Sequence, residues 1–257
     1  MDRRKFTRLC SSLVAGASTL SLVSRAAVAA ATDTNAQKVA GHPIPSTRLV
    51  YPNGEPVTTD SLAEGTAYIF HFPFKSTPGF LIRLRNDDRQ MTGEDSPVTL
   101  TDKNGRSYSW AGGVGPGNTI VAFSAICTHK MSHPAKPVSH LNFRPEDKVY
   151  YDRKGEQQRG SQLIYCCSEH SVYDPFEGAR VLSGPASQPL ASIGLMVDDD
   201  NSLIANSLYG GDMLEQFVEK FGFRQAIEQN LVDPYTPSGA KTSVVPADEF
   251  SAMQILC

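Results

Sequence analysis

The chain of 257 residues holds five cysteines and one tryptophan, carries a net charge of −3, and shows no internal repeat. Five cysteines are too few for the dense disulfide framework of a small secreted domain. With no excess of positive charge and no basic stripe, the chain lacks the electrostatic footprint that nucleic-acid binding needs. No run of apolar residues reaches the ~20 that span a bilayer as a helix; the longest mildly apolar stretch, Leu9 to Val23, falls short. What remains past residue 30 is enough for one domain with a sizeable core.

The amino terminus reads Asp2-Arg-Arg-Lys-Phe-Thr-Arg8, then the Ser/Ala/Gly-diluted apolar stretch, then Ala27-Val-Ala29 in a small-residue cleavage pattern. This order resembles a twin-arginine export signal over residues 1–30. It predicts a periplasmic location, with membrane attachment only if the segment is kept as an anchor.

Short runs of β-forming residues dominate the middle of the chain. Thr66 to Phe72, Phe80 to Leu84 and Ser96 to Thr101 are bounded by Pro, Gly, Asp and Asn. Lys103-Asn-Gly-Arg106 predicts a tight turn. Lys148 to Asp152 and Gln162 to Cys166, joined through Arg153-Lys-Gly155, predict an arm, and Asp198-Asp-Asp200 reads as an acidic turn rather than a calcium site. Leu214, Phe217, Val218 and Phe221 fall at i, i+3, i+4, i+7 and predict a helix that Asp212 can cap, its apolar stripe packed on its own domain. His71 reads as a packed strand histidine, His133 and His140 as surface or loop residues, and Cys166 as a strand residue turned away from any site. The expected architecture is all-β: an antiparallel β-sandwich with an added ligand-bearing subdomain over residues 60–210. A linker or strap precedes it (31–59), and a helix with an irregular tail follows (211–257).

Two mixed patterns carry the chemistry: Cys127-Thr-His129 and Cys167-Ser-Glu-His170, each offering one thiolate and one imidazole after a β-rich run. Zinc knuckles usually pair Cys with Cys and His with His, whereas here each loop mixes the two. The pairing resembles the ligand loops of Rieske proteins, in which two cysteines hold one iron of a [2Fe-2S] cluster and two histidines the other. Tyr173-Asp-Pro-Phe-Glu-Gly178 and Ser183-Gly-Pro-Ala-Ser-Gln-Pro-Leu190 resemble the segment that follows in that family, with Gly184 and Pro185 in the position of its cluster-covering loop. Gly113 to His129 is similar in particular to the small subunit of bacterial arsenite oxidases.

The resemblance implies a cluster held by Cys127, Cys167, His129 and His170, with Tyr173, Gly184 and Pro185 around it. It implies an electron-transfer subunit with no substrate site of its own. Its partners would be a large catalytic oxidoreductase subunit carrying molybdenum and, as acceptor, a soluble cytochrome c or copper protein. The sequence departs from respiratory Rieske proteins where their loop-bracing cysteines stand, which here match Ser132 and Glu169. Val172 takes the place of a serine near the cluster, and Tyr173 is displaced by one position, which predicts that its hydroxyl misses the ligand sulfur and that the potential is low. The other readings are the Rieske subunit of a quinol–cytochrome c reductase-like complex and a zinc-stabilised binding module. A Rieske oxygenase also needs a mononuclear iron held by histidines that follow the Rieske domain, and no histidine follows His170.

Overall fold

The computed structural model describes residues 38–39, 41–86, 89, 91, 93 and 96–257. The export-signal segment and most of the linker lie outside these residues.

An eight-stranded sheet forms the frame. Its strands run, in spatial order, Lys241–Ser243, Thr47–Val50, Leu203–Tyr209, Ser192–Val197, Ile120–Ser124, Pro78–Arg83, Thr66–His71 and Val245–Pro246. Every pairing is antiparallel except Lys241–Ser243 beside Thr47–Val50. The two edge strands are consecutive in the chain, separated by Val244 alone. Two residues of extended chain span about 7 Å at most, so the edges are drawn together and the sheet is curled almost into a closed barrel. Val244 is fully buried where they meet.

Both faces of this sheet are covered, which explains why its strands read as nearly continuous apolar runs instead of alternating ones. Phe70, Leu81, Ile120 and Ala122 point to an inner cluster. Their neighbours Ile69, Phe80, Ile82, Val121 and Phe123 point to a second cluster on the outside. A four-stranded antiparallel sheet, in the order Arg180–Ser183, Ser171–Asp174, Leu163–Cys166 and Leu141–Arg144, covers that second face with Leu141, Phe143, Ile164 and Tyr173. The all-β expectation is met, and both hairpin turns fall at Asn104-Gly105 and Lys154-Gly155, but Lys148–Tyr151 pairs with Gln157–Gly160 and not with Gln162 to Cys166, whose strand Leu163–Cys166 pairs instead with Leu141–Arg144.

The ends of the chain are more integrated than expected. Thr47–Val50 and residues 241–246 are strands of the main sheet rather than strap and irregular tail. The helical segment, Asp212–Phe217, a π turn over Val218–Gly222 and Phe223–Glu228, buries Leu214, Phe217 and Val218 in the inner cluster. Asp212 is not its cap: Gly211 holds that position, and the Asp212 carboxylate instead accepts from Asn104 and Gln188. Asp198 and Asp200 are ion-paired with Arg48, in keeping with an acidic turn. Among the described residues no helix is long and apolar enough to cross a membrane.

Candidate metal centre

Two loops meet at one end of the four-stranded sheet. The first leaves strand Ile120–Ser124 and turns tightly at Cys127, whose N–H donates to the Ser132 carbonyl and whose own carbonyl accepts from Met131 N–H, both at 2.9 Å. Met131 closes the turn with φ 62°. The second links strands Leu163–Cys166 and Ser171–Asp174 and closes at His170 with φ 57°.

The thiol that shares the buried cluster of Cys127 is that of Cys166, not the expected Cys167. The reason is strand parity: successive side chains point to opposite faces. Ile164 and Cys166 face the buried cluster that holds Cys127, while Leu163, Tyr165 and Cys167 face the other side with Val172. There Cys167 is disulfide-bonded to Cys257, which removes its sulfur from any ligand set. Cys127 and Cys166 are both free, 1% and 0% exposed, and lie in the same buried cluster, close enough for each thiol to shift the other's pKa. The expectation that Cys166 turns away is overturned by the same parity.

Measured from these two cysteines the loops have matching shapes. In each loop the backbone N–H groups two and three positions on, those of His129 and Lys130 and those of Ser168 and Glu169, act to lower the pKa of the preceding cysteine. A left-handed residue follows at the fourth position in both. The imidazoles differ in spacing: His129 stands two positions after its cysteine, His170 four after Cys166, with Glu169 in between. His129 is half-buried and His170 exposed, and both are close enough to Glu169 to lower its carboxyl pKa together with Lys130, the main cause.

Tyr173 does reach the site. A register shift between Val172 and Tyr173 in the pairing with strand Arg180–Ser183 accompanies its placement, and its hydroxyl lies 3.3 Å from the Cys127 sulfur. That oxygen accepts from Thr128 N–H at 3.1 Å, and the Thr128 hydroxyl, 3.2 Å away, donates to the Gln188 carbonyl at 2.7 Å. With the Thr128 proton engaged elsewhere, the tyrosine proton is free to point at sulfur. Val172, in contrast, packs with Leu163 and Tyr165 on the far face, so its side chain does not border the site.

The two thiols share protons. Donation from Cys166, then from Tyr173 and the amides of His129 and Lys130, pulls Cys127 down to about 6, while the same contact and burial push Cys166 up. One thiolate is therefore favoured in the buried pair, and thiolates are the metal-binding form. The Nδ1 atom of His129 is buried without a hydrogen-bond partner, as is that of His140; a buried imidazole nitrogen left unpaired is costly unless something coordinates it. Among the described residues no three His, Cys, Asp or Glu side chains converge as a single-ion site does. The donors come instead as a buried thiol pair with two outward imidazoles, a set that fits a two-iron cluster with one end inside the protein and one at the surface.

The loop at Gly184 and Pro185 lies over the second ligand loop. Gly184 has φ 80°, and a Cβ there would stand 2.5 Å from the His170 carbonyl oxygen and 2.6 Å from the Ser171 Cα, so only glycine permits the approach. Ala186 N–H donates to the Ser171 hydroxyl at 3.2 Å and ties the two loops together. No disulfide joins the ligand loops; Lys130 and Glu169 join their tips by an ion pair of 2.7 Å. His133 is a half-buried loop residue, set against Phe217 and Phe221 and within hydrogen-bond distance of Gln225.

No family model matches the chain. Among solved structures it is similar to the soluble domain of Rieske protein II from Sulfolobus acidocaldarius, with 24% sequence identity and a TM-score of 0.42, over 68% of this chain and 82% of that one.

Proposed function

We propose that the chain is a one-electron carrier built on a Rieske-type [2Fe-2S] cluster held by Cys127, Cys166, His129 and His170. The observation that carries this reading is the pair of free, buried thiols Cys127 and Cys166 in one cluster, with His129 half-buried and His170 exposed two and four positions beyond them. The cluster supplies a site that gains and loses a single electron at a potential raised by its neutral imidazole ligands. The protein's part is to aim amide and tyrosine hydrogen bonds at the cysteine sulfurs, to keep water from the buried end, and to leave His170 where a partner can touch it.

In the larger setting we place it as the small subunit of a periplasmic oxidoreductase, arsenite oxidase-like, passing electrons from a molybdenum-containing catalytic subunit to a soluble cytochrome c or copper protein. The Cys167–Cys257 disulfide supports export, since structural disulfides persist in oxidising compartments. Replacing Arg3 and Arg4 with lysine is expected to leave the precursor in the cytoplasm; unchanged periplasmic yield would refute the export route.

The cluster is tested on the full chain purified without oxygen. Iron and acid-labile sulfide in equal amounts, with the low average g-value of a mixed-ligand cluster on reduction, are expected, together with loss of both in Cys127→Ser. Stoichiometric zinc without iron would overturn the reading.

A further inference from the structure

The last residues of the chain form a strap beside the metal centre. Ser251 Oγ donates to the Ala135 carbonyl and Ala252 N–H to that of Lys136, each at 2.8 Å. Ser139 then binds the strap from both sides: its N–H donates to the Met253 carbonyl and its carbonyl accepts from Ile255 N–H, each at 2.8 Å. Asn142 Nδ2 donates to the Ile255 carbonyl at 2.9 Å. The segment gripped in this way, 135–142, connects the first ligand loop to strand Leu141–Arg144, and its His140 carbonyl accepts the N–H of Cys167 at 2.7 Å. The strap ends in the disulfide to Cys167, with Cys257 packed among Leu163, Tyr165 and Val172.

On the strength of this arrangement, and resting on the cluster reading above, we propose that Cys257 is a positioning residue for the metal centre. Cys167 is covalently adjacent to Cys166 and leads directly into the Ser168 and Glu169 amides of the second loop. A bond that fixes Cys167 therefore fixes the direction of those two N–H groups. The strap holds the first loop's exit and the second loop's entry as one unit from behind, while the exposed tips are joined only by Lys130 and Glu169. It leaves the front, where His170 stands, uncovered.

Disulfide mapping and two kinds of measurement test this. In the cluster-loaded protein, Cys257→Ser is expected to shift the potential and broaden the g-values of the reduced centre, and to raise the rate of cluster loss on the order of 10-fold, as supporting contacts of metal sites do. Cys167→Ser should do the same, and the double variant no more than either single one, because all three break one bond. In cluster-free protein, amide exchange at Ser168 and Glu169 should quicken in Cys257→Ser, which reads the positioning even if the metal proves not to be iron. If that variant does not fold, wild-type protein treated with dithiothreitol under native conditions substitutes: the dithiol gives two electrons and two protons to the Cys167–Cys257 bond and closes to its cyclic disulfide. Free thiols at Cys167 and Cys257 in the untreated protein, or unchanged exchange and unchanged spectra after the bond is broken, would overturn the proposal.

Discussion

Cys166 and Cys167 are neighbours in the chain and face opposite sides of one strand: the first meets the Cys127 thiol in the buried layer, and the second is bonded to Cys257. The two substitutions should therefore behave differently. Cys166→Ser removes a proposed ligand and is expected to abolish cluster binding. Cys167→Ser breaks the strap and is expected to leave a cluster that assembles and is lost more readily. Iron content of the two variants, purified side by side, checks this; equal and complete loss in both would return Cys167 to the ligand set.

Tyr173 offers a measure of what one hydrogen bond does to the potential. Its hydroxyl, 3.3 Å from the Cys127 sulfur, stabilises the more negative reduced state and so raises the potential. A hydrogen bond of about 1 kcal/mol corresponds to roughly 40 mV for one electron. Tyr173→Phe should lower the potential by that order and leave the iron content unchanged. Val172→Ser, by contrast, should leave it where it is, because the Val172 side chain lies on the far face of the strand. Voltammetry on the two variants separates them, and a rise in Val172→Ser with no change in Tyr173→Phe would show that the face assignment is reversed.

Much of this was legible in the sequence, and the exception is instructive. Cys127, His129 and His170 stand in the loops that their motifs indicated, and Asn104-Gly105 turns its hairpin. What could not be read was the parity of strand Leu163–Cys166. Leu163, Ile164, Tyr165 and Cys166 are all buried, so no polar residue marks which face is which, and the C-x-x-H spacing then favoured Cys167, which lies on the face away from Cys127. A signal did exist in Cys257: a cysteine outside the two ligand motifs is a candidate disulfide partner for one of the adjacent pair Cys166 and Cys167, and it is bonded to Cys167. The displacement of Tyr173 was misread for a related reason. Counted from Cys166, the second loop has an extra residue, which His170 absorbs in a left-handed conformation, so counting from the histidine placed the tyrosine one step out.

Glu169 does not act as a lone negative charge. Lys130 lies 2.7 Å from it and both are at the surface. Glu169→Gln should raise the potential of the centre and Lys130→Gln lower it, each modestly and less so as salt is added, since exposed pairs are screened. The double variant should lie near the wild type. A double-mutant cycle of potentials at low and high ionic strength gives the coupling; shifts of the same sign for both single variants would exclude an ion pair at the loop tips.

His71 makes stability depend on pH. It closes strand Thr66–His71, its Nε2 is 3.0 Å from Gln229 Nε2, and Ser238 and Thr242 donate to its carbonyl. Acceptance of the Gln229 amide proton requires the neutral ring. Burial, and secondarily the nearby Lys136 cation, lower its pKa to about 4 from the usual 6.5. Between those two values the unfolded chain binds a proton that the folded chain refuses, so stability is full above about pH 6.5 and falls as pH drops toward 4. The slope from one such group is at most about 1.4 kcal/mol per pH unit. His133, lowered chiefly by burial between Phe217 and Phe221, acts in the same direction, and the two histidines bind Gln229 and Gln225 of the same helical segment. That segment is expected to loosen first on acidification. Urea unfolding of wild type and His71→Gln at pH 7.5, 6.5, 5.5 and 4.5, values chosen to bracket roughly the span between the two constants, should show a shallower decline in the variant by up to one proton. Parallel curves would mean that His71 is protonated in the folded protein and that its contact with Gln229 is not the one described.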